Sequence, residues 1–104
     1  MQREKTVRFC GRRWRIRRVD ADDFATLPRD KLGIIDCNDG ILTYRKTDDE
    51  GEQITILHEV LHFAFPRARE SDVDRADWIL KDALEAFGVD LSPMIDMPKK
   101  RASR

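Results

Sequence analysis

The hydrophobic pattern changes its period near Tyr44, and this change limits the folds that the chain can adopt. Before Tyr44, runs such as "VRFCGRRWRIRRV" alternate apolar and polar residues, which is typical of strands with one buried face. After Tyr44, two stretches repeat their apolar residues at helical spacing. We therefore predict an α+β fold in which a small antiparallel sheet of about four strands packs on two helices.

Turn residues divide the first half of the chain into two predicted hairpins. The segment between the hairpins contains Pro28, and we predict a short helical turn and loop there, with Asp20 as N-cap. The first hairpin has strands near 6–10 and 13–19 and a turn at Gly11-Arg12, and the second joins "LGIIDC" to "ILTYRK" through a tight turn at Asp39-Gly40.

Both predicted helices have residues suited to their ends. We expect Asp48 or Asp49 to cap the first helix, which must end near Phe65 because Pro66 follows. In the second helix, "SDVD" indicates a capping box of Ser71 with Asp74, and Gly88 marks the end. The stripe expected to pack on the first helix is Val73, Ala76, Leu80, Ala83, Leu84 and Phe87.

The net charge of zero conceals an uneven distribution. Residues 1–18 have eight basic groups and one acidic group, residues 99–104 have four basic groups, and the stretch between them has eight basic and nineteen acidic groups. The basic start is compatible with an anionic partner such as nucleic acid. However, the alternation in this stretch is typical of the solvated face of a hairpin, and no nucleic-acid-binding motif accompanies the charge. We favour the solvated face, with nucleic acid as the alternative.

Length and composition indicate one small globular unit. We predict a single domain over 1–92 and a basic, flexible tail over 93–104. No apolar run is long enough to span a membrane and the start lacks the apolar segment of a signal peptide, so we expect a cytoplasmic protein. Cys10 and Cys37 form no C-x-x-C pair and are expected to be reduced thiols.

The segment "ILHEVLHFAF", residues 56–65, contains both histidines of the chain. On a helix, His58 and His62 lie about 40° and one turn apart, so both imidazoles can reach one metal ion. Glu59 lies about 100° around the helix, where it can hold a water molecule. This is the H-E-x-x-H arrangement, in which the histidines bind Zn²⁺ and the glutamate acts as general base. We favour it over histidines hydrogen-bonded within the core because an ion compensates their burial in an apolar helix.

A catalytic zinc ion needs a third protein ligand. The chain has no third histidine and both cysteines lie in the predicted sheet, so an acidic residue of the second helix is the natural ligand. Glu70, Asp74 and Asp77 are the candidates, and each has a solvated or capping role as its alternative. Glu70 and Asp77 lie on the same side, two turns apart, so periodicity leaves the choice open.

The succession of "ILTYRK", "ITILHEVLHFAF" and "ESDVDRADWIL" resembles the small zincin-type metallopeptidases of phages and prophages, distant minimal relatives of the ImmA/IrrE group. The resemblance covers roughly residues 7–88, and the H-E-x-x-H is its one highly specific motif. It implies that the motif helix packs on a small antiparallel sheet and that a carboxylate of the next helix completes the zinc site. This assigns Glu70 as the third ligand. It also implies a substrate bound as an added strand beside "ILTYRK" or "LGIIDC".

The expected function is therefore that of a zinc-dependent metalloprotease, phage or prophage encoded, acting on a protein or peptide in the bacterial host cell. His58, His62 and Glu70 would hold Zn²⁺, and Glu59 would take a proton from the attacking water. Tyr44 is the best nearby candidate to stabilise the oxyanion, although we favour the alternative that its ring packs on the sheet. The alternative is a non-catalytic, zinc-stabilised adaptor that binds protein or nucleic acid through the basic hairpin. A hydrolase of another amide would share the site chemistry.

Overall fold

The computed structural model describes residues 3–89 and contains a four-stranded sheet and two helices. The elements are β1 (Arg3–Phe9), β2 (Arg12–Val19), β3 (Gly33–Asp36), β4 (Ile41–Arg45), α1 (Asp49–Ala64) and α2 (Glu70–Ala86). The predicted α+β class is confirmed. Within residues 3–89, no helix is long and apolar enough to cross a membrane. The tail predicted over 93–104 lies outside the described residues.

The sheet is mixed rather than antiparallel, so this part of the prediction is wrong. Its strand order is β1-β2-β4-β3, with both sequential hairpins antiparallel and with β2 parallel to β4. The reason is the long connection over residues 20–32, which takes the chain from β2 to the far edge of the sheet. β4 then returns between β3 and β2, in the same direction as β2.

The first hairpin turns one residue earlier than predicted. Cys10 and Gly11 form the turn, with φ values of 52° and 72°, instead of Gly11 and Arg12. Positive φ at both central residues is the geometry that matches the twist of a two-residue hairpin. Cys10 is exposed there, and Cys37 is also an exposed free thiol.

The second hairpin has a longer loop than the predicted tight turn at Asp39-Gly40. Asp36 pairs with Ile41, so four residues separate the strands. The Asp36 carboxylate accepts hydrogen bonds from the backbone N–H groups of Asn38 and Asp39, at 3.0 and 3.1 Å. Gly40 has a φ of 69°, which its missing side chain permits.

The core lies between the inner face of the sheet and α1. Phe9 stacks on Trp14 with ring centroids 4.9 Å apart, and Phe63 of α1 meets Trp14 edge-on at 5.0 Å. Trp14 is fully buried, which contributes on the order of 2 kcal/mol or more through the hydrophobic effect. The inward side chains of this core are Val7, Phe9, Trp14, Ile16, Ile35, Leu42 and Tyr44 from the sheet and Ile56, Val60 and Phe63 from α1.

α1 begins and ends as predicted. The Asp48 side chain caps it by accepting a hydrogen bond from the N–H of Gly51 at 2.8 Å. The helix ends at Ala64, with Phe65 as C-cap before Pro66. The H-E-x-x-H residues lie in its second half, where Glu59 approaches Gly33 of β3.

α2 begins one residue before the predicted capping box. Arg69 is its N-cap and makes no side-chain capping bond, so the box of Ser71 with Asp74 does not form. Glu70 is consequently the first helical residue rather than a residue preceding the helix. At the other end, Gly88 has a φ of 80° and follows the C-cap, as predicted.

The face that α2 turns towards α1 is more polar than the predicted apolar stripe. Val73, Asp77 and Lys81 are its buried residues, whereas Leu80 and Phe87 are exposed. Lys81 is held by Glu85 and, across the helix pair, by Glu50 of α1 at 3.3 Å. Polar contacts between the helices therefore set the rotation of α2, and the prediction is wrong for Leu80 and Phe87.

The connection over 20–32 forms consecutive turns without a helix, and Arg45 anchors it to the outer face of the sheet. Arg45 is buried at the end of β4, and its guanidinium donates hydrogen bonds to five backbone carbonyls of this segment. The acceptors, at 2.9–3.4 Å, belong to Ala21, Asp23, Leu27, Pro28 and Lys31. The segment contains no helix for Asp20 to cap, so that prediction is wrong. The Asp23 carboxylate organises the turns by accepting from the N–H groups of Ala25 and Thr26.

Candidate metal centre

The two histidines of α1 meet the first residue of α2. His58 Nε2 lies 3.0 Å from His62 Nε2, and Glu70 places one carboxylate oxygen 2.9 Å from the first and the other 3.0 Å from the second. A tetrahedral zinc site with bonds of 2.0–2.2 Å separates its ligand atoms by about 3.4 Å. The separation of the two nitrogens is a few tenths of an ångström shorter than this, and the three groups are close enough together to hold one metal ion.

The second ring nitrogen of His58 is held by two further carboxylates of α2. Asp77 Oδ2 lies 2.9 Å from His58 Nδ1, and Asp74 Oδ1 lies 3.3 Å from it. Asp77 is almost fully buried, whereas Asp74 is exposed. When Nδ1–H donates to Asp77, the Nε2 lone pair of His58 points to His62 and Glu70, which is the tautomer that a metal ligand needs.

Two sets of side chains are therefore close enough to hold an ion, and they share His58. One set is His58, His62 and Glu70, and the other is His58, Asp74 and Asp77. The first set uses Nε2 and supplies two imidazoles and a carboxylate, the donor set of many catalytic zinc sites. In the second set, the contact with Asp77 has the geometry of the carboxylate–histidine pairs that support a metal ligand from outside. Of the two carboxylates, Glu70 is therefore better placed to act as a third ligand, and Asp77 is better placed to support His58 through Nδ1.

The pKa values of Glu59, Asp77 and His58 are all raised, although for different reasons. Burial raises the pKa of Glu59, against the opposing effect of the two histidines. Burial also raises the pKa of Asp77, although the hydrogen bond to His58 opposes this. For His58 burial lowers the pKa, but the hydrogen bond to Asp77 and the charge of Glu70 outweigh it and leave the pKa above its ordinary value. The fold therefore favours the protonated forms of these three groups relative to the free side chains.

Glu59 lies in the cleft between α1 and β3, next to the metal-binding set. The cleft has a volume of about 540 Å³, and Ile35, Ile54 and Thr55 line it beside Glu59. A methyl group at Gly33 would lie 2.7 Å from Thr55 Cγ2 and 3.1 Å from Glu59 Cγ, so only glycine allows this approach. Gly33 therefore brings the edge of the sheet against the general-base candidate, a role that no local pattern of residues indicates.

The open edge of the sheet beside this cleft belongs to β3. Arg45 N–H donates to Leu32 O at 2.8 Å, and the alternation of antiparallel pairing then directs the N–H and C=O groups of Gly33 and Ile35 away from β4. "LGIIDC" is thus the strand with free pairing groups. "ILTYRK" cannot take an added strand, because β4 lies between β2 and β3.

Tyr44 does not reach the cleft. Its side chain is fully buried in the core, on the inner face of the central strand β4, and is not among the residues that line the cleft. The expectation that it stabilises an oxyanion is therefore wrong, and packing of the ring on the sheet is confirmed.

Comparisons with protein families, with curated proteins and with solved structures find no match to this chain. The zincin resemblance consequently depends on the motif and on the geometry of the centre.

Proposed function

We propose that this protein is a zinc-dependent metalloprotease whose ion is held by His58, His62 and Glu70. The observation that supports this most directly is the convergence of both Nε2 atoms and the Glu70 carboxylate within about 3 Å of one another, beside Glu59. Two imidazoles, one carboxylate and an adjacent glutamate form the donor set and base of catalytic zinc sites.

The ligand count favours a catalytic centre over the alternative, a zinc-stabilised adaptor. A structural zinc ion is normally enclosed by four protein ligands, often cysteines. Among residues 3–89, the set that contains both histidines has three members, and neither cysteine belongs to it. The set also opens into a cleft, which leaves access for water and substrate.

Zinc, when bound, would polarise the substrate carbonyl and increase the acidity of water. Glu59 takes the proton of the attacking water and passes it to the departing amine. Its raised pKa suits this task, because a base whose pKa lies closer to neutrality can also return the proton. The backbone groups of Gly33 and Ile35 pair with an extended peptide and orient it along the cleft.

Replacement of Glu59 by Gln tests the proposal. Glu59 coordinates nothing, so we expect zinc content to be unchanged while hydrolysis falls by about 10²–10⁴-fold, as for loss of a general base. The substrate is a peptide library prepared from a bacterial proteome, and new N-termini are counted by mass spectrometry. Asp49→Asn is the matched control, because it also converts an acidic side chain of α1 into its amide, at an exposed position.

Zinc-dependent termini that are present with wild type and Asp49→Asn but absent with Glu59→Gln are the expected result. Identical profiles for wild type and Glu59→Gln, with one equivalent of zinc in each, would instead favour the adaptor.

A further inference from the structure

The outer face of the sheet is covered over only part of its width. The connection 20–32, anchored by Arg45, lies over β4 and the adjoining end of β2, where Val19, Thr43 and Arg45 are buried. No described segment covers the outer face of the β1–β2 hairpin. Four arginines point outwards there, and we call them the arginine row: Arg8 on β1 and Arg13, Arg15 and Arg17 on β2.

The charges of the arginine row are largely uncompensated. Arg8 lies directly opposite Arg13, an arrangement of like charges that destabilises a sheet. Within residues 3–89 neither of these two makes an ion pair. Glu4 is the one acidic residue on this face of the hairpin, and it lies 3.8 Å from Arg15 and 3.4 Å from Arg17. One exposed carboxylate cannot neutralise four guanidinium groups.

The fold itself does not require this arrangement. The inward residues of the same two strands provide the core, so any polar side chain would serve on the outside. Charges that protect a sheet edge from aggregation are needed only on the edge strand, here β1. Arg13, Arg15 and Arg17 lie on β2, which has neighbours on both sides. Their concentration therefore indicates an anionic partner.

The chemistry of the hairpin face favours nucleic acid over protein. Its outward residues are Glu4, Thr6 and the arginine row, with no large apolar or aromatic side chain. Protein interfaces usually centre on large apolar or aromatic side chains, and single-stranded nucleic acids bind by stacking on aromatic rings. This face offers neither. Guanidinium groups donate bidentate hydrogen bonds to phosphates, and alternate residues of a strand place them about 6.6–6.8 Å apart in a straight line.

We infer that the arginine row binds the phosphate backbone of double-stranded nucleic acid, without reading its sequence. The row lies on the side of the sheet opposite to α1 and the metal centre, so the inference does not depend on the proposed protease activity. A protein with this second surface would be held on nucleic acid while its cleft remains open.

The test is fluorescence anisotropy of a labelled DNA duplex titrated with the full chain at several salt concentrations. Three to four phosphate contacts predict a slope of log K against log salt of about −3, at about −0.9 per contact. The double variant Arg13→Gln with Arg15→Gln should reduce the steepness by about 2 and weaken binding at least about tenfold at low salt. Both positions are exposed, and circular dichroism checks the fold.

The matched control is Arg67→Gln with Arg75→Gln, which removes the same charge from exposed sites near and on α2. Both double variants retain the basic residues 99–104, so the difference between them isolates the arginine row. Binding that stays near wild type in the control supports the inference. Equal weakening in both pairs, tighter binding of a single strand than of the duplex, or binding of phosphatidylglycerol vesicles with none of the duplex would overturn it.

Discussion

Asp77 offers the sharpest test of how the centre is built, because its replacement should affect zinc affinity and metal-free stability differently. Its Oδ2 accepts the Nδ1–H of His58, while its Oδ1 is buried without a hydrogen-bond partner among the described residues. Asp77→Asn keeps the shape of the side chain but removes the negative charge. We expect this variant to bind zinc more weakly while its metal-free form is no less stable than wild type.

The magnitudes follow from these contacts. Loss of an outer partner of a metal-binding histidine typically costs 10–100-fold in affinity, which corresponds to about 1.4–2.7 kcal/mol. Asn can still accept one hydrogen bond, so we expect the lower end, about tenfold. In the metal-free protein, the buried carboxylate has a raised pKa, so its charged form is disfavoured in the fold. Removal of that charge offsets the loss of a charge-assisted hydrogen bond.

The assay is competition for zinc with a chromogenic chelator, combined with urea unfolding of the metal-free proteins. Glu70→Gln removes a ligand and should weaken binding more than Asp77→Asn does. Asp74→Asn is the matched control, because Asp74 is exposed and 3.3 Å from the same nitrogen, and it should change the affinity by less than about threefold. A larger loss of zinc affinity in Asp77→Asn than in Glu70→Gln would refute the assignment and make Asp77 the ligand.

Three further outcomes are expected. His58→Ala and His62→Ala should each abolish tight zinc binding. Elemental analysis after dialysis should find about one equivalent of zinc in wild type and almost none in either variant. Full retention of zinc in the double variant would exclude this centre. Gly33→Ala should lower the free energy of unfolding by about 1–3 kcal/mol, or Tm by several degrees, because the new methyl group overpacks against Thr55. Adding Thr55→Ser should restore much of this stability, because it removes the methyl group that is contacted. An unchanged Tm in Gly33→Ala would show that β3 can shift away from α1 at no cost. Stability of the metal-free protein should decrease as pH rises from about 4 to 8, because raised folded-state pKa values give stability that is lost as pH rises through them. With zinc bound, stability should instead increase with pH, because the zinc ligands must lose their protons to bind. Thermal unfolding at each pH, once in chelator and once in zinc, measures the two trends. A Tm in chelator that increases from about pH 4 to 8 would contradict the assigned shifts. The groups concerned are His58, Glu59 and Asp77 of the metal centre. Glu52 of α1 joins them, because burial raises its pKa against the opposing effects of the Thr47 N–H and Arg18.

Features determined by short stretches of chain could be predicted from the sequence. The Asp48 cap, the end of α1 before Pro66 and the shared face of His58 and His62 all follow from local geometry. The same is true of the inward alternation in the first hairpin. In each case the interacting groups lie within a few residues of one another, so the local conformation does not depend on how the rest of the chain packs.

Features determined by packing could not be predicted. The parallel pairing of β2 with β4 depends on where the connection 20–32 crosses the sheet, and no local pattern records this. The choice between Glu70 and Asp77 depends on the rotation of α2, which the contacts of Lys81 help to set. Hydrophobic periodicity predicted Leu80 on the inner face because it gives no weight to buried polar contacts of this kind.

The anchoring of residues 21–31 by Arg45 has a consequence for how this protein tolerates mutation. Arg45 binds carbonyl oxygens, which every amino acid has, so it holds the path of the segment with little regard to the side chains along it. Substitutions at the exposed positions of the segment should therefore be accepted readily, whereas Arg45, the fully buried Leu27 and the turn-forming Asp23 should tolerate few replacements. The segment leads through Lys31 and Leu32 to the rim of the cleft. Side chains on that rim can therefore change during evolution while the backbone of the scaffold stays the same.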